Sequence, residues 1–145
     1  MNPAARTQHV LIAEDDPGDA ELTREAFGQH QTDRRLHFVS DGEQALQFLR
    51  RIDAFADMPR PDLIVLDINM PRLTGLEVLA QVKADASLHT IPVVIFTTSR
   101  DHADISRSYG SHANAYVTKP RELDEFDAAV QTIDDFYLRV VTPCP

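Results

Sequence analysis

An α/β fold built on a parallel sheet is predicted by three features of the sequence. Short apolar runs alternate with segments of helical spacing, the innermost runs are apolar at nearly every position, and turn residues separate each run from the next. A strand buried on both faces reads as an unbroken apolar run, which is what LIVL and VVIF offer. The 145 residues, 43% hydrophobic and 26% charged, suit one globular domain with a sizeable core.

The elements follow in order. HVLIAE at 9–14 predicts the first strand, and Asp16-Pro17 then provides an N-cap and a first-turn proline for a helix ending at Gly28. RLHFV at 35–39 alternates as a strand. Asp41 caps a helix that carries Ala45, Phe48, Leu49 and Ile52 at helical spacing. RIDAFADMPRP, with two prolines, is a somewhat long loop before the central strand DLIVLD. After the loop NMPRLTG, Val78, Leu79 and Val82 mark a third helix, and DASLHTIP ends it before the strand PVVIFT. DHADISRSYG is a short fourth helix ending in glycine. AYVT is the fifth strand, and a last helix follows Lys119-Pro120 with Leu123, Phe126, Val130, Ile133 and Tyr137 on one stripe.

Five such repeats require right-handed crossovers, with helices on both faces of the sheet. The expected architecture is a flavodoxin-like, doubly wound (βα)5 three-layer sandwich with strand order 2-1-3-4-5. The expected division is an N-terminal extension at 1–8, the domain at 9–139 and a C-terminal tail at 140–145.

Charge and composition exclude several functions. A formal net charge of −9 repels a phosphate backbone, so direct nucleic-acid binding is not expected. The opening MNPAARTQHV lacks a signal-peptide core and no apolar run could span a bilayer, so a soluble, cytoplasmic protein is expected. Cys144, the sole cysteine, provides neither a disulfide nor a cysteine metal site, and the six histidines have no metal-ligand spacing.

Ligands of an open parallel sheet bind beyond the carboxyl ends of the strands, at the switch point between the first and third. Glu14, Asp15 and Asp16 follow the first strand, Asp67 ends the third, Thr97 ends the fourth and Lys119 follows the fifth. Several carboxylates brought together near a core raise one another's pKa values unless a cation intervenes. Mg²⁺ is the natural one, because it takes oxygen ligands, tolerates one or two carboxylates and keeps water and phosphate in its other positions. Asp15 and Asp67 fit that set. Asp67 can also act as a nucleophile without a separate base, since an aspartate side chain is ordinarily ionised at neutral pH, with Lys119 and Thr97 holding phosphoryl oxygens.

The segments EDDPGD, LDINMP, PVVIFTTS and YVTKP, in this order and spacing, resemble the signatures of bacterial response-regulator receiver domains across nearly the whole chain. The resemblance implies that Asp67 is the phosphoacceptor, Asp15 a direct metal ligand, Glu14 a partner of metal-bound water and Asn69 a ligand through its backbone carbonyl. It implies phosphoryl contacts from Thr97 and Lys119, a switch relay of Thr97 and Tyr116, and a cis peptide before Pro120. Glu14 and Thr98 depart mildly from the usual residues. Asn69 and Ser99 fall where the family varies access of water to the phosphoryl group. The long loop before DLIVLD and the aromatic tail resemble the stand-alone regulators paired with bacterial phytochrome histidine kinases, so a sensor histidine kinase is the expected partner.

The apolar residues Phe136, Leu138, Val140 and Val141 exceed what one sheet-facing stripe needs, and a homodimer through the last helix and tail is expected. Competing readings fit less well. A haloacid-dehalogenase-like phosphatase needs an aspartate at Asn69, a flavodoxin-like electron carrier needs a phosphate loop where EDDPGD stands, and an EF-hand needs glycine at Arg72 and glutamate at Val78.

Overall fold

The computed structural model describes residues 6–28 and 33–145. Residues 1–5 of the expected N-terminal extension lie outside them. Five strands, β1 (Gln8–Ala13), β2 (Arg34–Val39), β3 (Leu63–Leu66), β4 (Val93–Thr97) and β5 (Ala115–Thr118), alternate with α1 (Pro17–Gly28), α2 (Gly42–Arg50), α3 (Gly75–Ala84), α4 (His102–Gly110) and α5 (Leu123–Asp135). The sheet is parallel throughout, in the order β2-β1-β3-β4-β5.

Local chemistry starts the helices where the sequence places them. Asp16 accepts from Gly18 N at 3.0 Å, Asp41 from Gln44 N at 2.7 Å and Asp101 from Ala103 N at 3.0 Å, each satisfying an otherwise orphaned donor. Thr74 and Glu77 close a reciprocal capping box on α3.

The central strand shows how the sandwich is built. Ile64 and Leu66 face one layer, packing with Leu11, Phe48, Val78 and Ile95, while Leu63 and Val65 face the other, packing with Val10, Phe27, Phe96 and Phe126. Four consecutive apolar residues are therefore needed, because both faces are covered. In the long loop, a 3-10 turn at Asp53–Phe55 lays Phe55 and Met58 against the first of these layers.

After α5 the chain runs into a π-helical turn, Phe136–Val140. Leu138 is buried there, whereas Phe136 and Val140 are exposed. A buried ion pair holds this end in place: Arg34 Nε donates to Asp134 Oδ1 at 2.7 Å, and Gln8 Nε2 donates to the Leu138 carbonyl at 2.9 Å. The expected excess of apolar side chains thus divides: Leu138 returns to the core, Phe136 and Val140 face outward, and Val141 is half-buried.

Candidate functional site

Parallel register assembles the site. Ala13 pairs with Leu66, so Glu14 and Asp67 leave neighbouring strands side by side, and Asp67 N donates to Ala13 O at 3.1 Å. Thr97 pairs with Thr118, which places Lys119 next, its N–H donating to Thr97 O at 2.7 Å. Residues far apart in sequence meet because all the strands end at one edge.

Gly75 permits the turn that carries Asp67. Its N–H donates to Ile68 O at 2.9 Å, and a Cβ there would lie 2.0 Å from the Asp67 carbonyl oxygen. Asp67 Oδ1 in turn accepts from Ile68 N at 2.7 Å, which orients the carboxylate.

Lys119 is the hub of the charges. Its side chain is only 3% exposed, and Nζ donates to Asp67 Oδ2 at 2.8 Å, to Asp19 Oδ2 at 2.8 Å and to Glu14 Oε1. All three ammonium protons are used. Burial pulls the Lys119 pKa down, but the hydrogen bonds it donates to Asp19, Asp67 and Glu14 outweigh it and hold the amine above its ordinary value.

Glu14, Asp15 and Asp67 bring carboxylate oxygens within 4.8 Å of one another. Burial is the main reason that Glu14 is pushed up to about 7, with Asp67 adding to the rise and Lys119 opposing it. The two directions agree physically: three carboxylates share one ammonium and a fourth, Asp15, lies beside two of them, so the lysine is over-supplied with anions while one acid is under-supplied with cations. The donor set consists of oxygens alone, and the surplus of negative charge fits a hard divalent ion.

The sequence-predicted residues are largely brought together. Asn69 is exposed in the turn between Asp67 and α3, and Asp16 caps α1. Thr97 is fully buried at the end of β4, its hydroxyl accepting from Ser99 N at 3.3 Å. Tyr116 is half-buried and its hydroxyl donates to Ser99 O at 2.8 Å. The expected cis peptide before Pro120 is corrected: among the described residues no peptide bond is cis. Lys119 reaches all three carboxylates across a trans bond, the isomer that X-Pro pairs intrinsically favour.

Asp19 was not among the sequence candidates. Its only local mark is the final acid of EDDPGD, which reads as an ordinary first-turn acid of α1. Only the contact with Lys119, a hundred residues away, distinguishes it.

The comparisons agree with this geometry. Residues 10–131 match the family model described as the response regulator receiver domain. This chain belongs to the response-regulator receiver family. The receiver is 40% identical over 133 residues to response regulator Rcp1 of Synechocystis sp., an alignment covering 92% of this chain and 90% of that protein. It also resembles the crystal structure of the phosphorylated cyanobacterial phytochrome response regulator RcpA, with a TM-score of 0.92 and 37% identity over 95% of this chain and 99% of that one. The Mn²⁺-bound form of Rcp1 gives a TM-score of 0.90 at 38% identity, with the same coverage. The receiver is therefore a signalling protein of the two-component type with an acidic cluster suited to a divalent ion. Among its described residues no helix is long and apolar enough to cross a membrane.

Proposed function

We propose that this receiver accepts a phosphoryl group on Asp67 from a sensor histidine kinase in the cytoplasm and relays the change to a protein partner. The convergence of Glu14, Asp15, Asp67 and Lys119 on one sheet edge carries the reading. An Asp67 oxygen attacks the phosphorus, the bond from phosphorus to the donor nitrogen breaks, and its electron pair stays with the donor imidazole. Lys119 follows the charge onto a phosphoryl oxygen, and the Thr97 hydroxyl takes another.

Asp15 and Asp67, with the Asn69 carbonyl and Glu14 through water, would hold Mg²⁺. When bound, the ion neutralises phosphoryl oxygens and the surplus carboxylate charge. The Mn²⁺-bound form of Rcp1 supports a divalent ion in such a receiver. Its phytochrome-regulator relatives favour a phytochrome-type kinase as donor.

The energy of the switch is sufficient. A new charge pair at about 4 Å gives roughly 4 kcal/mol at an effective dielectric of ~20, and inverting a two-state population from 1:99 to 99:1 takes about 5.5 kcal/mol. Two such contacts suffice, with Thr97 and Tyr116 as the relay. Incubation with acetyl phosphate and Mg²⁺ should yield a phosphoryl adduct at Asp67 by peptide mass spectrometry, and chelation with EDTA should suppress it by more than about tenfold. Equal labelling in EDTA would exclude the metal-assisted reading.

A homodimer through α5 and the π-helical turn belongs to the same proposal, supported by the outward-facing Phe136 and Val140. Light scattering should return about twice the 16.3 kDa monomer mass. Replacing Phe136 and Val140 with serine should halve it, leaving Leu138 in the core. A monomeric wild type, or a dimer indifferent to both changes, defeats the proposal.

A further inference from the structure

The long loop ahead of the central strand lies at the opposite end of β3 from Asp67. Its two ends come together in space. Arg50 and Arg51 lead into it from α2, Arg60 lies near its exit, and all three line one groove of about 370 Å³. The facing wall holds Asp85, Ser87 and Leu88 from the turn after α3.

The bonds these arginines make leave their charge uncancelled. Arg60 donates from Nη2 to Thr90 Oγ1 at 3.0 Å and from Nη1 to the Ser87 carbonyl, and Arg50 Nη2 donates to Gln81 Oε1 at 2.9 Å. Each of those acceptors is neutral. Among the described residues none of the three arginines forms an ion pair. Asp85, the one acid in the groove, turns its Oδ1 onto Ser87 N and Oγ, each at 2.8 Å. Those bonds from Ser87 are the largest of the causes that hold its carboxyl below the ordinary value, and the charge of Arg50 is the last. In a chain with a formal net charge of −9, three arginines here face one acid that is already occupied.

Helix polarity does not account for the set. A cation in the last turn of a helix meets the carbonyl end of the dipole, which suits Arg50. Arg60 is in no helix. Arg51 stands just past α2 at φ 55 and ψ 50, the left-handed conformation that glycine or asparagine ordinarily supplies at a helix end. Asp53, at φ 54, is in the same region. Glycine would remove that cost, and backbone outliers of this kind cluster at ligand sites.

We propose that this groove binds a phosphate-bearing small molecule, with Arg51 and Arg60 on the phosphate oxygens and Arg50 adding charge. Guanidinium groups present planar forks that match phosphate geometry. Arg60 uses two of its five N–H donors on Ser87 and Thr90, which fixes its plane and leaves the others for a ligand. Buried Leu49, Pro61 and Leu88 form an apolar side for the uncharged part of the molecule, and the volume lies within the range of small-ligand sites.

Amide NMR and calorimetry test the site at fixed ionic strength in EDTA, which keeps divalent ions out of the acidic cluster. Pyrophosphate and ATP are the probes. The amides of Arg51, Ser87 and Leu88 should shift on titration, with a Kd of about 1 mM or tighter. Tighter binding of ATP assigns the groove to nucleotides, and equal binding assigns it to free polyphosphate. Arg51→Gly should weaken binding about tenfold or more, while its thermal midpoint holds or rises because glycine suits that backbone. Arg107→Gln, which removes an arginine of α4 outside the groove, should bind as the wild type does. No shift at the three amides, undiminished binding by Arg51→Gly, or an equal loss in Arg107→Gln overturns the site.

Discussion

Asp67→Asn should lower phosphoryl incorporation on the order of a thousandfold or more, because the attacking group itself is removed. The amide oxygen that replaces the carboxylate is neutral and a poor nucleophile, and it is a weaker ligand for a divalent ion. The change is nearly isosteric, so Ile68 N keeps an acceptor in place of Oδ1 and the strand end need not move. Stability should be held or slightly increased. Asp67 is one of the charges that raise Glu14, and removing it relieves the crowding while Lys119 keeps Glu14 and Asp19. The checks are radiolabel transfer from a kinase and thermal unfolding on one preparation. Labelling of the variant at the normal rate would move the acceptor to another residue.

The second large effect concerns a residue with no chemistry of its own. Gly75→Ala puts a methyl group 2.0 Å from the Asp67 carbonyl oxygen, 2.8 Å from its carbonyl carbon and 3.0 Å from Ile68 Cα, all backbone atoms that cannot rotate away. The strand end must shift. Overpacking of this kind costs about 1–3 kcal/mol and sometimes more. For a domain of this size each kcal/mol lowers Tm by about 2–4 °C. Because the displaced backbone carries Asp67, Mg²⁺ affinity should fall along with stability. Gly28→Ala, at the last residue of α1, is the control: a Cβ there meets nothing within 4 Å, so stability should hold. Equal denaturation midpoints for the two variants would show that Gly75 does not support the site.

Most of the fold was legible because its determinants are local. LIVL requires burial on both faces, and Asp16, Asp41 and Thr74 cap their helices through atoms no more than three residues away. The acids that end β1 and β3 were legible for the same reason: a carboxylate at the end of an apolar strand is visible in the chain itself.

What remained hidden depends on long-range partners. The dipeptide Lys119-Pro120 carries no record of its isomer, which is trans in the structure. The periodicity of α5 gives no warning of the π-helical turn, whose Leu138 carbonyl is held by Gln8 from the first strand. Asp19 looks like any first-turn acid until Lys119 arrives from the far end of the chain.

The amino-acid order alone determined the alternation of strand and helix, the strand order expected of such a chain, and the acids and lysine placed at one edge. The tertiary structure decided how those charges share a single ammonium and that Asp19 is one of them. The physical reason is one of range. Hydrophobic period and capping act within a few residues, whereas charge balance depends on groups that meet only after the sheet has formed.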